Sequence, residues 1–289
     1  MAKRFGYKIY SARYGNIYTV RQLLQLARDA ESGTVDEGDV WQKDGRYFDA
    51  LRPNIEPDGF ESVEEALALR RQHLTNVKKL FAEMDVFIFT LGLTEAWTDK
   101  RTGRVYPTAP GTIAGSFDPE SHEFHNFSAD EIYSDFVEFF RLVRGNNPNL
   151  HVILTVSPVP LTATASDEHV LVATTYSKSV LRAAAGALSK KFKRIDYFPS
   201  YEIIASPWSR GFFYESNMRS VSPAGVSTVM RVFFDEHSAS KSNEQARGGN
   251  RAERLKRKQI ARAEKAQTDG QSAEDAICED VLLEAFSPR

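Results

Sequence analysis

Residues 86–97 read VFIFTLGLTEAW, and this stretch decides the fold. Its first six residues, Val86 to Leu91, are continuously apolar, which is typical of a strand buried on both faces of a sheet. Gly92 then breaks the strand. The pattern recurs in His151 to Val156 (HVILTV), which predicts a second buried strand, and Arg194 to Phe198 (RIDYF) predicts a third.

Long helices are predicted between these strands because apolar residues recur there at steps of three and four. Ser62, with Glu65 three residues later, forms the capping-box pattern that opens the longest helix. The other predicted helices are Val20–Ala30, Ala129–Arg144, Tyr176–Lys191 and Pro223–Phe234. Strands that alternate with helices predict an α/β fold, here a three-layer α/β/α sandwich around a mostly parallel sheet.

Composition excludes several classes of protein. The chain has 289 residues, 42% of them hydrophobic, and a net charge of -2, so no basic field argues for nucleic acid. Its single cysteine, Cys278, cannot form an internal disulfide, which favours a reducing compartment. No apolar run reaches the roughly 18 residues of a membrane span, and the first residues lack the apolar core of a secretory signal. We therefore expect a cytoplasmic protein.

The composition changes near Ser238, where aromatic and β-branched residues almost vanish. We predict a folded domain over residues 1–237 and a flexible charged tail over 238–289, since so little apolar surface cannot offset the entropy of ordering the chain. Within the tail, residues 274–286 (EDAICEDVLLEAF) have the apolar spacing of one short helix. We expect it either to dock on the core or a protein partner, or to fray in solvent.

Candidate site residues follow the ends of the two strongest strands, where ligands bind in open α/β sheets. Gly92 lets backbone approach a ligand closely, while Thr94 and Glu95 supply a hydroxyl and a carboxylate. Ser157 follows the second strand. The alternative is structural: Thr94 or Glu95 caps the next segment, and the prolines that follow Ser157 make a rigid loop.

Asp167 and His169 are the candidate base with its orienting carboxylate, because imidazole is suited to proton transfer near neutral pH. The alternative is that Asp167 caps the next helix while His169 is partly buried. Gly15 and Asn16 precede a helix and could present N–H donors to an anion, or simply form the entry turn.

A polar loop is predicted at residues 116–127 (SFDPESHEFHNF), where His125 and Asn126 are candidate binding residues. His122 and His125 do not have the spacing of a helical zinc motif, and no second cluster completes four ligands, so we predict no metal. The sequence also lacks the glycine-rich phosphate-binding motifs and the G-x-S-x-G elbow, and we expect no cofactor.

Several segments together resemble the GSCFA family, which is similar to the SGNH (GDSL-like) hydrolases. The segments are SARYGNIYTVRQLLQL, FTLGLTEAW, GTIAGSFDPESHEFHNF, LTVSPVPLTAT, YSKSVLR and DYFPSYEI, within residues 10–235. The resemblance implies the α/β/α sandwich and, by analogy, hydrolysis or transfer of acyl esters, with carbohydrate esters as the expected substrates. In such enzymes a serine attacks the acyl carbonyl and fixed donors bind the oxyanion.

This chain departs from that pattern at two places. It lacks the Gly-Ser-Cys-Phe-Ala motif that holds the expected nucleophile, and it has Asn217 and Ser220 where a late Asp-x-x-His would fall. The resemblance places Gly15 and Thr94 as oxyanion donors and leaves His169 as the base. We therefore expect a truncated SGNH-like domain that is impaired as written. The alternative is a non-catalytic carbohydrate-binding or scaffolding domain that uses Trp97, Thr94 and Glu95.

Overall fold

The computed structural model describes residues 8–242. These residues belong to two compact units, one formed by Tyr10–Tyr201 and the other by residues 8–9 and 202–242. The predicted segment 274–286, and the predicted tail from residue 243 onward, lie outside the described residues. The last helix runs to Ser242, so the first five residues that we assign to the tail, 238–242, are helical.

A parallel sheet forms the centre of the larger unit. Its strands are β3 (Val86–Leu91), β7 (His151–Val156) and β8 (Ile195–Tyr197), in the order β3-β7-β8. All three predicted strands are therefore present, and they pair in parallel. Parallel pairing places their carboxyl ends at one edge of the sheet, as the sequence-based site requires.

The predicted helices are present, with shifted ends. In the larger unit they are α1 (Val20–Ser32), α2 (Val63–Glu83), α3 (Ala129–Asn146) and α4 (Val170–Lys191). Ser62 Oγ accepts from the Glu65 amide as predicted, but the Glu65 carboxylate accepts from the amide of Glu61, so the reciprocal bond of a capping box is not made there. A complete box opens α3 instead, between Ser128 and Glu131.

The smaller unit is mostly helical. It contains most of α5 (Ser200–Ala205), a 3-10 turn at Pro207–Ser209, and α6 (Pro223–Ser242). Between the 3-10 turn and α6, the chain folds back on itself through an antiparallel bridge between Tyr214 and Val221.

Two antiparallel sheets were not predicted from the sequence. One is the hairpin β1 (Val40–Lys43) and β2 (Arg46–Asp49). The other contains β4 (Glu95–Asp99), β5 (Val105–Tyr106) and β6 (His122–Asn126), in the order β5-β4-β6. The predicted polar loop around His122 and His125 is therefore wrong for those residues, which form a strand. The apolar residues of this segment are too few to show the alternation that would predict a strand.

The prediction that β3 is buried on both faces is also wrong. Phe87, Phe89 and Leu91 face the core, where they meet helix side chains such as Phe81 and Phe139. Val86 and Ile88, on the other face, are 49% and 54% exposed. β3 is also the edge strand of the parallel sheet within residues 8–242, so no strand of that range pairs with its outer edge. The sheet with helices around it fits the α/β class, and the three-layer arrangement stays a prediction.

A buried network of ion pairs joins the elements beside this core. Arg70 of α2 contacts Asp49 (2.6 Å), Asp29 (3.1 Å) and Asp39 (3.8 Å). Arg104 pairs with Asp29 and Asp39 from a separate turn. These pairs connect α1, α2, the β1–β2 hairpin and the β4–β5 turn, and each carboxylate has an opposite charge that offsets its loss of water.

Candidate functional site

The carboxyl ends of β3 and β7 lie side by side. The Ser157 amide donates to the Leu91 carbonyl at 2.9 Å, so the segments that leave the two strands are joined at their first residues. Ser157 Oγ accepts from the Val159 amide at 3.2 Å, which fixes the first residues of the segment after β7. The structure thus brings Ser157 next to the Gly92 turn, as the positions of the two strand ends predict.

The backbone at Gly92 lies close to the backbone at Tyr18. This approach requires a residue without a side chain. A Cβ at this position would lie 3.0 Å from the Tyr18 carbonyl oxygen, and the Leu93 amide donates to that same oxygen at 2.8 Å. The segment that holds Gly15 and Asn16 therefore reaches this edge of the sheet. Asn16 Nδ2 donates to the Tyr18 hydroxyl at 2.6 Å, while Gly15 forms a turn with φ of +74°.

Two adjacent residues of α4 hold the turn that follows β3. Ser177 Oγ accepts from the Thr94 amide at 3.1 Å, and Lys178 Nζ donates to the Gly92 carbonyl at 2.7 Å. Neither residue was selected from the sequence. The available signal was Lys178 itself, since it occupies a core-facing position of α4 between Ala173 and Leu181.

Burial changes the proton affinity of Lys178. Its side chain is almost completely removed from solvent, and this desolvation lowers its pKa to about 7. Carbonyl oxygen is a neutral acceptor, so the Gly92 contact does not replace the hydration of an ammonium charge as a carboxylate would. The strand-end site thus contains an amine that changes its charge near neutral pH.

Glu95 is the first residue of β4, not part of a loop. The Thr164 hydroxyl donates to its carboxylate at 2.8 Å, which ties β4 to the segment after β7. Partial burial raises the pKa of Glu95, and the negative charge of Glu168 acts in the same direction. A carboxyl group with a raised pKa is suited to proton transfer.

Asn126 pairs directly opposite Glu95 between β6 and β4. Residues opposite one another in an antiparallel pair lie on the same face of the sheet, so Asn126 joins the strand-end group. Within residues 8–242, the buried Asn126 Oδ1 and Thr94 Oγ1 have no hydrogen-bond partner. Buried polar atoms are normally paired, so each unpaired one requires an explanation. Thr94 precedes Glu95 in the chain, and Asn126 lies opposite Glu95 across the sheet.

The sequence-based base and its carboxylate form no hydrogen bond to Thr94, Glu95 or Asn126 in the described part of the chain. His169 is the N-cap of α4, where its Nδ1 accepts from the Leu171 amide at 3.2 Å. Asp167 and His169 are both exposed, and no hydrogen bond joins them in the described part of the chain. His169 thus performs the capping role that the sequence left to Asp167.

His125 is held by a different carboxylate. Its Nε2 lies 2.9 Å from Glu131 Oε1, and its ring packs on Phe127 with the centroids 4.4 Å apart. Among the five histidines whose side chains the structure describes, none has a serine as its ring partner. Those partners are Ala12 for His73, Asp118 for His122, Glu131 for His125, Asp196 for His151 and Leu171 for His169.

The model of the GSCFA family matches residues 2–233 of the chain. The chain belongs to the GSCFA family. No curated protein matches it, and no solved structure does. Family membership covers both the strand-end site and the smaller unit up to α6.

Across residues 8–242 of this GSCFA protein, no three His, Cys, Asp or Glu side chains are grouped as a metal site would need. None of the helices in that range is long and apolar enough to cross a bilayer.

Proposed function

We propose that this GSCFA chain carries the substrate-binding part of an SGNH-like hydrolase or acyltransferase that acts on acyl esters of carbohydrate. The observation that carries the proposal is the group formed by Thr94, Glu95 and Asn126 at the carboxyl ends of β3 and β7. Ligands bind at this position in open α/β sheets, and the partly exposed Glu95 and Asn126 offer polar groups there.

The chemistry of these residues suits an acyl group. A hydroxyl such as that of Thr94 can donate to the oxyanion that forms when an ester carbonyl is attacked, as the resemblance to SGNH hydrolases implies. Gly15 keeps the second oxyanion role that the resemblance implies. Fixed donors are effective there because they need no rearrangement during the reaction.

Two groups are candidates for the base. His169, with Asp167, is the sequence-based candidate, and Glu95 is the second because its pKa is raised. In neutral imidazole one nitrogen accepts while the other carries the proton. Because His169 Nδ1 accepts from the Leu171 amide, that nitrogen is not free to take the proton of a nucleophile. This geometry favours Glu95 as the base.

The nucleophile of the proposal is the serine of the Gly-Ser-Cys-Phe-Ala motif, which the 289 residues do not contain. We expect the chain to release no more acid than buffer from p-nitrophenyl acetate or from acetylated xylose and glucose. A fusion that places the motif-bearing segment of another GSCFA protein before residue 1 should hydrolyse these esters. Removal of one member of a catalytic unit typically costs several powers of ten in rate.

Variants of that fusion distinguish the two bases. Glu95→Gln should lower the rate at least 100-fold if Glu95 is the base, whereas His169→Ala should do so if the sequence-based assignment is right. Lys79→Met, an exposed change on α2, is the matched control and should have no effect. Full activity of the 289-residue chain would contradict the proposed nucleophile and make Ser157 the next candidate. A folded but inactive fusion would contradict the proposed reaction.

A non-catalytic carbohydrate-binding or scaffolding domain is the second candidate. It is favoured by the candidate pair Asp167 and His169, which are exposed and form no hydrogen bond with each other in the described part of the chain. Trp97 does not provide an open stacking surface, because its ring packs edge-on against Phe117 and Phe124 at 5.0 and 5.8 Å. Saturable binding of acetylated sugars by the fusion, without release of acid, would support this candidate.

A further inference from the structure

The smaller unit exposes several large apolar side chains in the segment 206–222, between α5 and α6. Trp208 is 91% exposed, Phe212 76% and Met218 59%. Single exposed apolar residues are ordinary, but large side chains in one short segment mark an interaction surface. We name residues 206–222 the aromatic loop.

The aromatic loop has a defined backbone that holds these side chains outward. Trp208 lies in the 3-10 turn, and the Phe212 amide closes the next turn on the Ser209 carbonyl at 2.8 Å. Met218 has a φ of +54°, and its Cε would be 2.9 Å from a Cβ at Gly211, so its side chain lies beside the turn that carries Phe212. Met218 thus lies beside the turn that carries Phe212, and Trp208 lies four residues before Phe212 in the same loop.

Hydrogen bonds fix the other half of the loop. Asn217 Oδ1 accepts from the amides of Arg219 and Ser220, each at 2.9 Å, and the Glu215 amide donates to the Ser220 carbonyl at 2.8 Å. The bridge between Tyr214 and Val221 closes the base of the loop. A loop that is already ordered loses little entropy when it binds a partner.

Arg210 and Arg219 accompany the apolar residues and are exposed, as is Glu215, so the loop has a net charge of +1. Neither arginine forms an ion pair within the part of the chain that the structure describes. Large apolar side chains with flanking arginines are the composition of segments that lie in the interface of an anionic bilayer. There the rings enter the boundary between headgroups and acyl chains, while the guanidinium groups meet lipid phosphates.

We propose that the aromatic loop attaches this protein reversibly to anionic membrane surfaces. The rings of Trp208 and Phe212 and the side chain of Met218 supply the apolar contact, and Arg210 and Arg219 supply the preference for negative lipids. One loop of this size gives weak attachment, since strong peripheral anchoring generally needs more than one contribution. The inference does not depend on the proposed ester chemistry.

The test uses the full chain and vesicles of two compositions, phosphatidylcholine alone and an equal mixture of phosphatidylcholine and phosphatidylglycerol. We expect sedimentation with the mixed vesicles that decreases with salt, and little with phosphatidylcholine alone. Trp208 serves as the internal reporter: its emission should shift to shorter wavelength and be quenched by brominated lipid. Trp41 is buried and the Trp97 ring is packed, so they should change little.

Variants separate the apolar and charged contributions. The double variant Trp208→Ala/Phe212→Ala should bind mixed vesicles at least tenfold more weakly. Arg210→Gln and Arg219→Gln should each weaken binding about fivefold and reduce the preference for phosphatidylglycerol. Leu69→Ala, at a 39% exposed position of α2, is the matched control and should bind like the parent chain.

Two results would overturn the proposal. One is no binding of the parent chain to mixed vesicles at millimolar lipid. The other is binding that Trp208→Ala/Phe212→Ala leaves unchanged. In the first case the loop would be a surface for a protein or carbohydrate ligand, since the same rings also suit those partners.

Discussion

Lys178 shows how one residue combines structural and chemical roles. It lies in the apolar stripe of α4, yet its amine holds the Gly92 carbonyl at the end of β3. Ser177 holds the Thr94 amide in the same way, so consecutive side chains of one helix fix the two ends of the turn. Because that turn carries Thr94 and leads into Glu95, the position of the proposed site depends on α4.

The lowered pKa of Lys178 predicts a pH-dependent stability. Its pKa falls from 10.5 in the unfolded chain to about 7 in the fold, so the unfolded chain binds more protons between these values. The free energy of unfolding should therefore rise with pH above 7, by on the order of 3 kcal/mol by pH 9.5. Below pH 7 the amine is charged in both states, so this group adds no further dependence.

Urea unfolding at pH 6.5 to 9.5 measures this effect, and the Lys178→Met variant separates it from tyrosine ionisation, which begins within this range. Lys178→Met should remove the rise because the titrating group is gone. Lys79→Met, whose side chain is exposed, should keep it. Identical pH profiles for Lys178→Met and the parent chain would contradict the buried charge as its cause.

At the scale of elements, the two faces of β3 lie in different environments. One face is packed with phenylalanine rings, and Phe87 and Phe89 stack with their centroids 6.0 Å apart. The other face exposes Val86 and Ile88, and within residues 8–242 no strand pairs with its outer edge. An uncharged strand of β-branched and aromatic residues with such an edge is a template for intermolecular pairing.

We therefore predict that Ile88→Lys reduces aggregation of the protein. A lysine at an edge strand opposes pairing with another chain, and at a 54% exposed position it should change the free energy of unfolding by only about 0.5 kcal/mol. Light scattering against protein concentration measures the effect. Leu69→Lys on α2 adds the same charge away from the edge, and an equal reduction there would attribute the effect to net charge alone.

At the scale of the whole molecule, the buried ion network joins elements that are far apart in sequence. Arg70 contacts carboxylates from α1, the 3-10 turn at Glu37–Asp39 and the end of β2. Desolvation raises the pKa of Asp29, and the positive charge of Arg104 opposes that increase. The network fixes the register of these elements because each buried charge needs its partner.

Removing Arg70 should be far more costly than removing its neighbour. Arg70→Met leaves buried carboxylates without a full set of partners, and breaking such a network typically costs about 3–5 kcal/mol in the free energy of unfolding. Arg71→Met, at an exposed position of the same helix, should cost about 0.5 kcal/mol or less. Urea unfolding of both variants at pH 7 measures the difference, and equal losses would show that the network contributes little stability.

The sequence was sufficient for the elements that repeat a simple pattern. Strands β3, β7 and β8 and the long helices follow from apolar periodicity, which depends on neighbours within a few residues. The short strands β1, β2, β4, β5 and β6 do not, because their pairing partners rather than their composition make them strands. The position of the candidate site at the strand ends also followed from the sequence, since parallel strands share one edge.

Only the tertiary structure decided which side chains meet there. Lys178 reaches Gly92 across 86 positions, and Ser177 reaches Thr94 across 83. Asn126 comes opposite Glu95 through a strand that the sequence did not reveal. The exposure of Val86 and Ile88 likewise depends on what covers a sheet face. Local patterns determine which elements form, whereas contacts between distant residues determine burial, proton affinity and the composition of a site.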